Sequence, residues 1–230
     1  EPLTDERIET DSTYDAGTTT QLMWGARSDV GCVRPHNEDS YLVQSPLFCV
    51  CDGMGGHAAG EVASSIAVET IAKTAPQSAD AARLAAAVEA ANAAVIEAAL
   101  NGLGKPGMGC TATCAYIEND TLAIAHVGDS RAYLLHEGTL IRVTRDHSYV
   151  EELVDAGEIT ADEARVHPNR SVITRALGSD PAMYADHFTL HIEEGDRLIL
   201  CSDGLSSMIP DSDIENIATQ SSSAQICVDN

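Results

Sequence analysis

Two long alanine-rich stretches interrupt a series of short apolar runs, and that order leaves the chain few architectures. Positions 61–74 carry Val62, Ile66 and Thr70 at four-residue spacing with Ile71 beside them. Positions 79–100 carry Leu84, Val88, Val95 and Ile96 among alanines. Both patterns predict helices laid against a sheet. The apolar runs predict strands at 22–26, 41–44, 47–51, 111–118, 121–127, 131–136, 188–192 and 197–201. Turn signals at Glu118-Asn119-Asp120 and Glu137-Gly138 join the middle ones into antiparallel hairpins. Helices come in blocks rather than after every strand, so the class is α+β. Capping-box patterns at Ser148/Glu151 and Thr160/Glu163 open two further helices, 149–156 and 161–166, separated at Gly157 and stopped by Pro168. They lie in a polar stretch, 146–180, expected to be a surface insertion.

A chain of 230 residues suits one domain, or one domain with a tail, and 44% hydrophobic with only 4% aromatic residues implies an aliphatic core. No run approaches 18 consecutive apolar residues, and no secretory signal opens the chain, so neither a membrane span nor secretion is expected. The net charge is −23, with 36 acidic residues against 13 basic. Such a field repels nucleic acid. It leaves two readings open: solubility, or a carboxylate cluster that a divalent cation neutralises. Glu1, Asp5, Glu6, Glu9, Asp11 and Asp15 fall in positions 1–20, expected to be a flexible acidic lead. The seven cysteines include no C-x-x-C pair, and none is followed six positions later by arginine. A reduced, cytoplasmic protein is expected.

Four stretches place aspartate at the end of an expected strand beside glycine or small residues. They are Arg34-Pro35-His36-Asn37-Glu38-Asp39, Asp52-Gly53-Met54-Gly55-Gly56-His57, Gly128-Asp129-Ser130-Arg131 and Ser202-Asp203-Gly204-Leu205. A strand that ends in aspartate carries its carboxylate out of the core. Glycine next to it lets a backbone carbonyl approach the same point. Hard oxygen donors of this kind suit Mg²⁺ or Mn²⁺. One Asp-Gly alone is more simply a turn; the joint occurrence of such sites after strands is what points to chemistry.

These motifs resemble those of the bacterial PP2C (PPM) metal-dependent protein serine/threonine phosphatases. Ser28-Asp29-Val30-Gly31 through Asn37-Glu38-Asp39-Ser40 resembles the family's opening motif, and Asp52–His57 with Gly60-Glu61-Val62-Ala63 its second. Met108-Gly109-Cys110-Thr111 follows, with cysteine where the family has a first threonine. Then come His126-Val127-Gly128-Asp129-Ser130-Arg131-Ala132-Tyr133, Thr144-Arg145-Asp146-His147, Ile173-Thr174-Arg175-Ala176-Leu177-Gly178 and Asp196-Arg197-Leu198 through Ser202-Asp203-Gly204-Leu205. The resemblance runs in order from about residue 22 to 215. It implies an α/β/β/α sandwich with two central antiparallel sheets. It also implies two or three Mn²⁺ or Mg²⁺ ions and hydrolysis of phosphoserine or phosphothreonine by a metal-activated water, with no phosphoenzyme. By the same resemblance Asp52 bridges two metals, Gly53 offers its carbonyl, Asp203 binds one of the pair, and Asp129 with Asp203 holds a third. Glu38 and Asp39 act there directly or through water, Arg34 grips the phosphate and His57 protonates the leaving oxygen. The stretch 146–180 corresponds to the family's flap. Phosphorylated proteins, substrates of a serine/threonine kinase, are the implied partners of a monomer.

The pattern departs at the end. The family closes with Gly-Gly and then Asp-Asn opening a last strand, whereas Asp229-Asn230 here follow no Gly-Gly. Residues 223–228 match the family's final helix, so Asp229 is expected on that helix, with the domain at 21–230 lacking its C-terminal end and its last metal ligand. A pseudophosphatase, or phosphoprotein-binding module, is therefore the competing reading. A nucleotide site at Gly102-Leu103-Gly104-Lys105-Pro106-Gly107 matches G-x-G-x-x-G. It follows a helix and leads into a strand, the reverse of what a dinucleotide site requires.

Overall fold

The computed structural model describes residues 13–19, 21–56 and 59–230. Five antiparallel strands form the larger sheet, in the order β10 (Asp186–His191), β7 (Thr121–Val127), β6 (Ala112–Glu118), β4 (Leu47–Met54) and β3 (Asp39–Gln44), with the two-residue β5 (Gly109–Cys110) on the end of β4. A second antiparallel sheet has the order β11 (Arg197–Cys201), β8 (Arg131–His136), β9 (Thr139–Arg142). A separate hairpin joins β1 (Thr13–Thr18) to β2 (Met23–Ser28).

Alternation along the strands builds the layers. Cys114, Ala123, Ala125 and Val127 face one side of the larger sheet, where α1 (Ala59–Thr74) and α2 (Ala81–Leu100) pack. Ala115, Leu122 and Ile124 face the other side and meet Ala132, Leu198 and Leu200 of the smaller sheet. On that sheet's far face Tyr133 and Cys201 meet Ile214 of α6 (Asp211–Gln220). The result is helix, sheet, sheet, helix. It is the expected sandwich, and the period of two in each strand is its cause. α3 (Tyr149–Asp155), α4 (Ala161–Arg165), the one-turn α5 (Asp203–Ser206) and α7 (Ala224–Asp229) complete the elements.

Two expectations change. Thr13–Thr18 pairs residue by residue with β2, so this part of the expected flexible lead is a strand; positions 1–12 lie outside the described residues. The backbone of a polar segment satisfies its hydrogen bonds on an available edge, and composition does not reveal that edge. In α1 the buried face is Ala59, Gly60, Ala63, Ser64, Ala67 and Ile71, while Val62 and Ile66 are only partly buried. Small residues face inward because α1 packs closely on both α2 and β4. The short β5 and β9 and the helices α5 and α6 were not legible, being too short or too polar to show a period.

Gly53 and Gly60 are required by that close packing. A Cβ on Gly53 would stand 2.2 Å from the Gly60 carbonyl oxygen and 2.5 Å from that of Glu38. A Cβ on Gly60 would stand 2.7 Å from the Gly53 carbonyl carbon. Backbone cannot yield as a flexible side chain does, so Gly53→Ala should destabilise the fold by about 3 kcal/mol, the upper part of the usual overpacking range. A lower urea midpoint with an unchanged slope, measured without added metal, checks this.

His126 gives a second stability prediction. Its Nε2–H donates to the Arg145 carbonyl at 2.9 Å, which leaves Nδ1 to accept from the Thr113 hydroxyl at 2.9 Å. Burial, reinforced by His147 nearby, lowers this histidine from 6.5 to about 4. Between those values the unfolded chain binds the extra proton. Its stabilising contribution is therefore complete above pH 6.5 and lost toward pH 4, on the order of 3 kcal/mol. His126→Gln should make the loss of stability between pH 7 and pH 5 shallower by about 2 kcal/mol, the part of the window those pH values span, read from urea midpoints.

Candidate active site

β3 and β4 pair so that Asp39 lies directly opposite Asp52. Opposed residues of an antiparallel pair project to the same face, which brings the two carboxyls together. Asp203 joins them from the first turn of α5, immediately after β11. Burial pushes Asp52 up to about 9, and the neighbouring carboxylates of Asp39 and Asp203 add to the rise. Asp129 follows β7 on a turn made by Gly128 at φ 106°, where a Cβ would meet Thr111 Cγ2 at 2.6 Å. Burial raises Asp129 to about 7, with Asp203 and Asp146 contributing. All four aspartates border one open cleft of about 1800 Å³, as do Arg34, Glu38, Arg131 and Asp146.

Most of the bonds that hold these groups come from partners distant in sequence. Thr111 Oγ1 accepts from the Asp52 amide at 2.9 Å and sits 2.6 Å from Ser130 Oγ, while its own amide donates to the Asp52 carbonyl at 2.9 Å. Ser202 leaves its helix uncapped and donates instead to Asp39 Oδ2 at 2.8 Å. Asn37 Oδ1 accepts from the Asp39 amide at 3.0 Å. Gly53 donates its amide to the Glu38 carbonyl at 3.2 Å. Arg131 spans Asp146 with Nε and Nη2, at 2.9 and 2.7 Å, and is held charged by it despite burial.

His147 is a junction that sequence reasoning missed. Its amide donates to the Gly128 carbonyl at 2.8 Å, and its Nδ1 accepts from the Gly128 amide at 3.0 Å. The proton therefore sits on Nε2, which donates to Asp186 Oδ2 at 2.8 Å; Arg175 holds the other oxygen of Asp186 at 2.7 Å. Its carbonyl accepts from Thr174 at 2.9 Å. One residue thus ties the Asp129 turn to both ends of the 146–180 stretch. No spacing along the chain encodes these bonds, which join residues tens of positions apart.

The expected site residues fall as follows. Asp39, Asp52 and Asp203 come together, and Asp129 lines the same cleft. Gly53 sits between the backbones of Glu38 and Gly60. Glu38 is largely buried and pairs at 3.7 Å with Arg34, which is 69% exposed. His57 lies outside the described residues. Asp229 ends α7 and pairs at 3.5 Å with Arg27 on β2. The loop at 101–107 links α2 to β5 and offers no strand-to-helix turn for a dinucleotide.

The donor set fits a hard divalent cation. Asp129 Oδ1 is buried with no hydrogen-bond partner. Asp52 is crowded by two like charges. Among the described residues no group of three or more His, Cys, Asp or Glu side chains is by itself arranged to hold a metal ion, so water and backbone oxygens would have to complete the coordination. Mg²⁺ and Mn²⁺ take few carboxylates and several waters, so such an open set of oxygens suits them.

The protein phosphatase 2C family profile matches residues 24–227, and the chain belongs to that family. It is 43% identical over 205 residues to serine/threonine protein phosphatase PstP of Mycobacterium tuberculosis, a match covering 86% of this chain and 39% of PstP. The chain thus spans about two fifths of that relative's length. Serine/threonine phosphatase stp of Listeria welshimeri is 38% identical over 203 residues, covering 83% of this chain and 81% of stp. Among solved structures, Mycobacterium tuberculosis PstP/Ppp superposes with a TM-score of 0.80 at 37% identity, covering 94% of this chain and 88% of that one. The PstP catalytic domain in complex with two manganese ions gives 0.78 at 35% identity, covering 95% and 89%.

Thr111→Val keeps the shape of the residue but leaves the buried Asp52 amide without its acceptor. It should cost about 1–3 kcal/mol of stability. Urea unfolding checks this, and hydrogen exchange at the Asp52 amide should accelerate in parallel.

Proposed function

We propose that this chain hydrolyses phosphoserine and phosphothreonine in proteins, using two or three Mn²⁺ or Mg²⁺ ions. The convergence of Asp39 and Asp203 on a half-buried Asp52 raised to about 9 carries this reading, because only a cation lets all three stay ionised there. The phosphatase names of the relatives support it, as does the manganese in the PstP catalytic domain.

In this reading Asp52, the Gly53 carbonyl and Asp203 hold two ions, and Asp129 with Asp203 holds a third. Asp39 and Glu38 complete the polar wall directly or through water. Such ions, when bound, activate a water and neutralise charge developing on the phosphoryl group. Arg34, exposed at the cleft and paired only loosely with Glu38, grips the phosphate oxygens through its planar fork. His57 gives a proton to the departing serine or threonine oxygen. The 146–180 stretch, hung on His147, governs access to the cleft. The substrates are products of a serine/threonine kinase, and the enzyme acts as a monomer. All seven cysteines are unpaired, which suits a cytoplasmic setting. No helix among the described residues is long and apolar enough to cross a membrane.

Phosphate release from a phosphothreonine peptide should depend on manganese and fall on the order of 100-fold in Asp52→Asn. Peptide binding without release at any manganese concentration would identify a binding module instead.

A further inference from the structure

The proposed chemistry leaves a group of thiols unused. Cys49 and Cys51 on β4, Cys110 on β5 and Cys114 on β6 are all buried, and Cys49 lies directly opposite Cys114 in the sheet. The backbone bonds Thr111 N–H to Asp52 O and Ile117 N–H to Pro46 O mark the hydrogen-bonded rungs of this ladder. Bonded and non-bonded rungs alternate along an antiparallel pair. Counting inward from either bond makes Cys49–Cys114 a non-bonded rung, the kind whose Cα atoms stand about 4.5 Å apart with side chains closest. That separation lies within the range a disulfide spans, about 4.4–6.8 Å. The two sulfurs are 2.7 Å apart, closer than unbonded sulfurs normally sit. Cys51 is 3.7 Å from Cys49 but shares its strand, where residues two apart stand about 7 Å from each other at Cα, at the outer limit for a bridge.

We propose that Cys49 and Cys114 form a redox site that a peroxide closes into a cross-strand disulfide. One thiolate attacks a peroxide oxygen, the O–O bond breaks, and a sulfenic acid forms as one water leaves. The second thiolate attacks that sulfur, the S–O bond breaks, and a second water leaves. Two thiols and one peroxide give one disulfide and two waters; sulfur loses the two electrons that oxygen gains. Burial raises both thiols above their ordinary value, so closure waits on transient opening of the sheet and is slower than oxidation of the exposed Cys32. The bond would tie β4 to β6 three residues before Asp52 and cross-link positions 65 apart in sequence. Long closed loops give large stabilisation.

The test uses the full chain with Cys32→Ser, which removes the exposed thiol, treated with hydrogen peroxide under native conditions. Remaining thiols are then alkylated in denaturant, and mass and linked peptides are read. The expected result is loss of two hydrogens, one peptide pair joining Cys49 to Cys114, and reversal by a dithiol reductant. The melting temperature should rise on the order of 5 °C. In Cys114→Ser the mass change should vanish, and peptide mapping of the parent decides the matter even if that variant fails to fold. Full alkylation of Cys49 and Cys114 after peroxide has oxidised Cys227 would overturn the proposal. So would a Cys51–Cys110 link, or a Cys49–Cys114 link that forms only in denaturant.

Discussion

Asp39 and Asp52 stand opposite each other across β3 and β4, and Asp203 closes on the same point from the next layer. Like charges held this close in a half-buried place repel, and water can screen them only in part. The fold therefore commits free energy to keeping them together, and its nearby features serve that end. Thr111 pins the Asp52 amide, Ser202 gives up its capping role to reach Asp39, and Asn37 fixes the start of β3. Such expense at one spot is typical of a site whose charge is completed by something the chain binds.

The scaffold can hold that arrangement because it is packed tightly where β4 ends. Gly53 and Gly60 let the start of α1 touch the end of β4 with no side chain between them. Alanines along α1 and α2 continue the same close approach into the core. An aliphatic core with few aromatics gains its density from such short contacts rather than from large side chains.

His147 supplies the other connection, between the Asp129 turn and the more exposed stretch outside it. Because Nδ1 accepts from Gly128, the imidazole must be neutral with its proton on Nε2, and burial holds it so against the pull of Asp186. Arg175 in turn fixes Asp186 and stacks on Tyr184. Hydrogen bonds thus connect this stretch to the backbone that presents Asp129.

Much of this was legible before any fold was known. Alternating apolar runs gave the strands of both sheets except the short β5 and β9, and alanine-rich periodicity gave α1 and α2. Aspartates placed at strand ends beside glycine or small residues marked Asp39, Asp52, Asp129 and Asp203. Local patterns reveal local geometry, and each of these is a property of a few neighbouring residues. The strand at Thr13–Thr18 was hidden because its partner, not its composition, makes it one. The inward face of α1 was misjudged because close packing selected alanine over valine. The bonds from Thr111 to Asp52, from Ser202 to Asp39 and from His147 to Gly128 span 59, 163 and 19 positions. The sequence by itself determined which side chains could do the chemistry; the tertiary structure decided which of them meet, since only the pairing of distant strands brings like charges and their supports to one place.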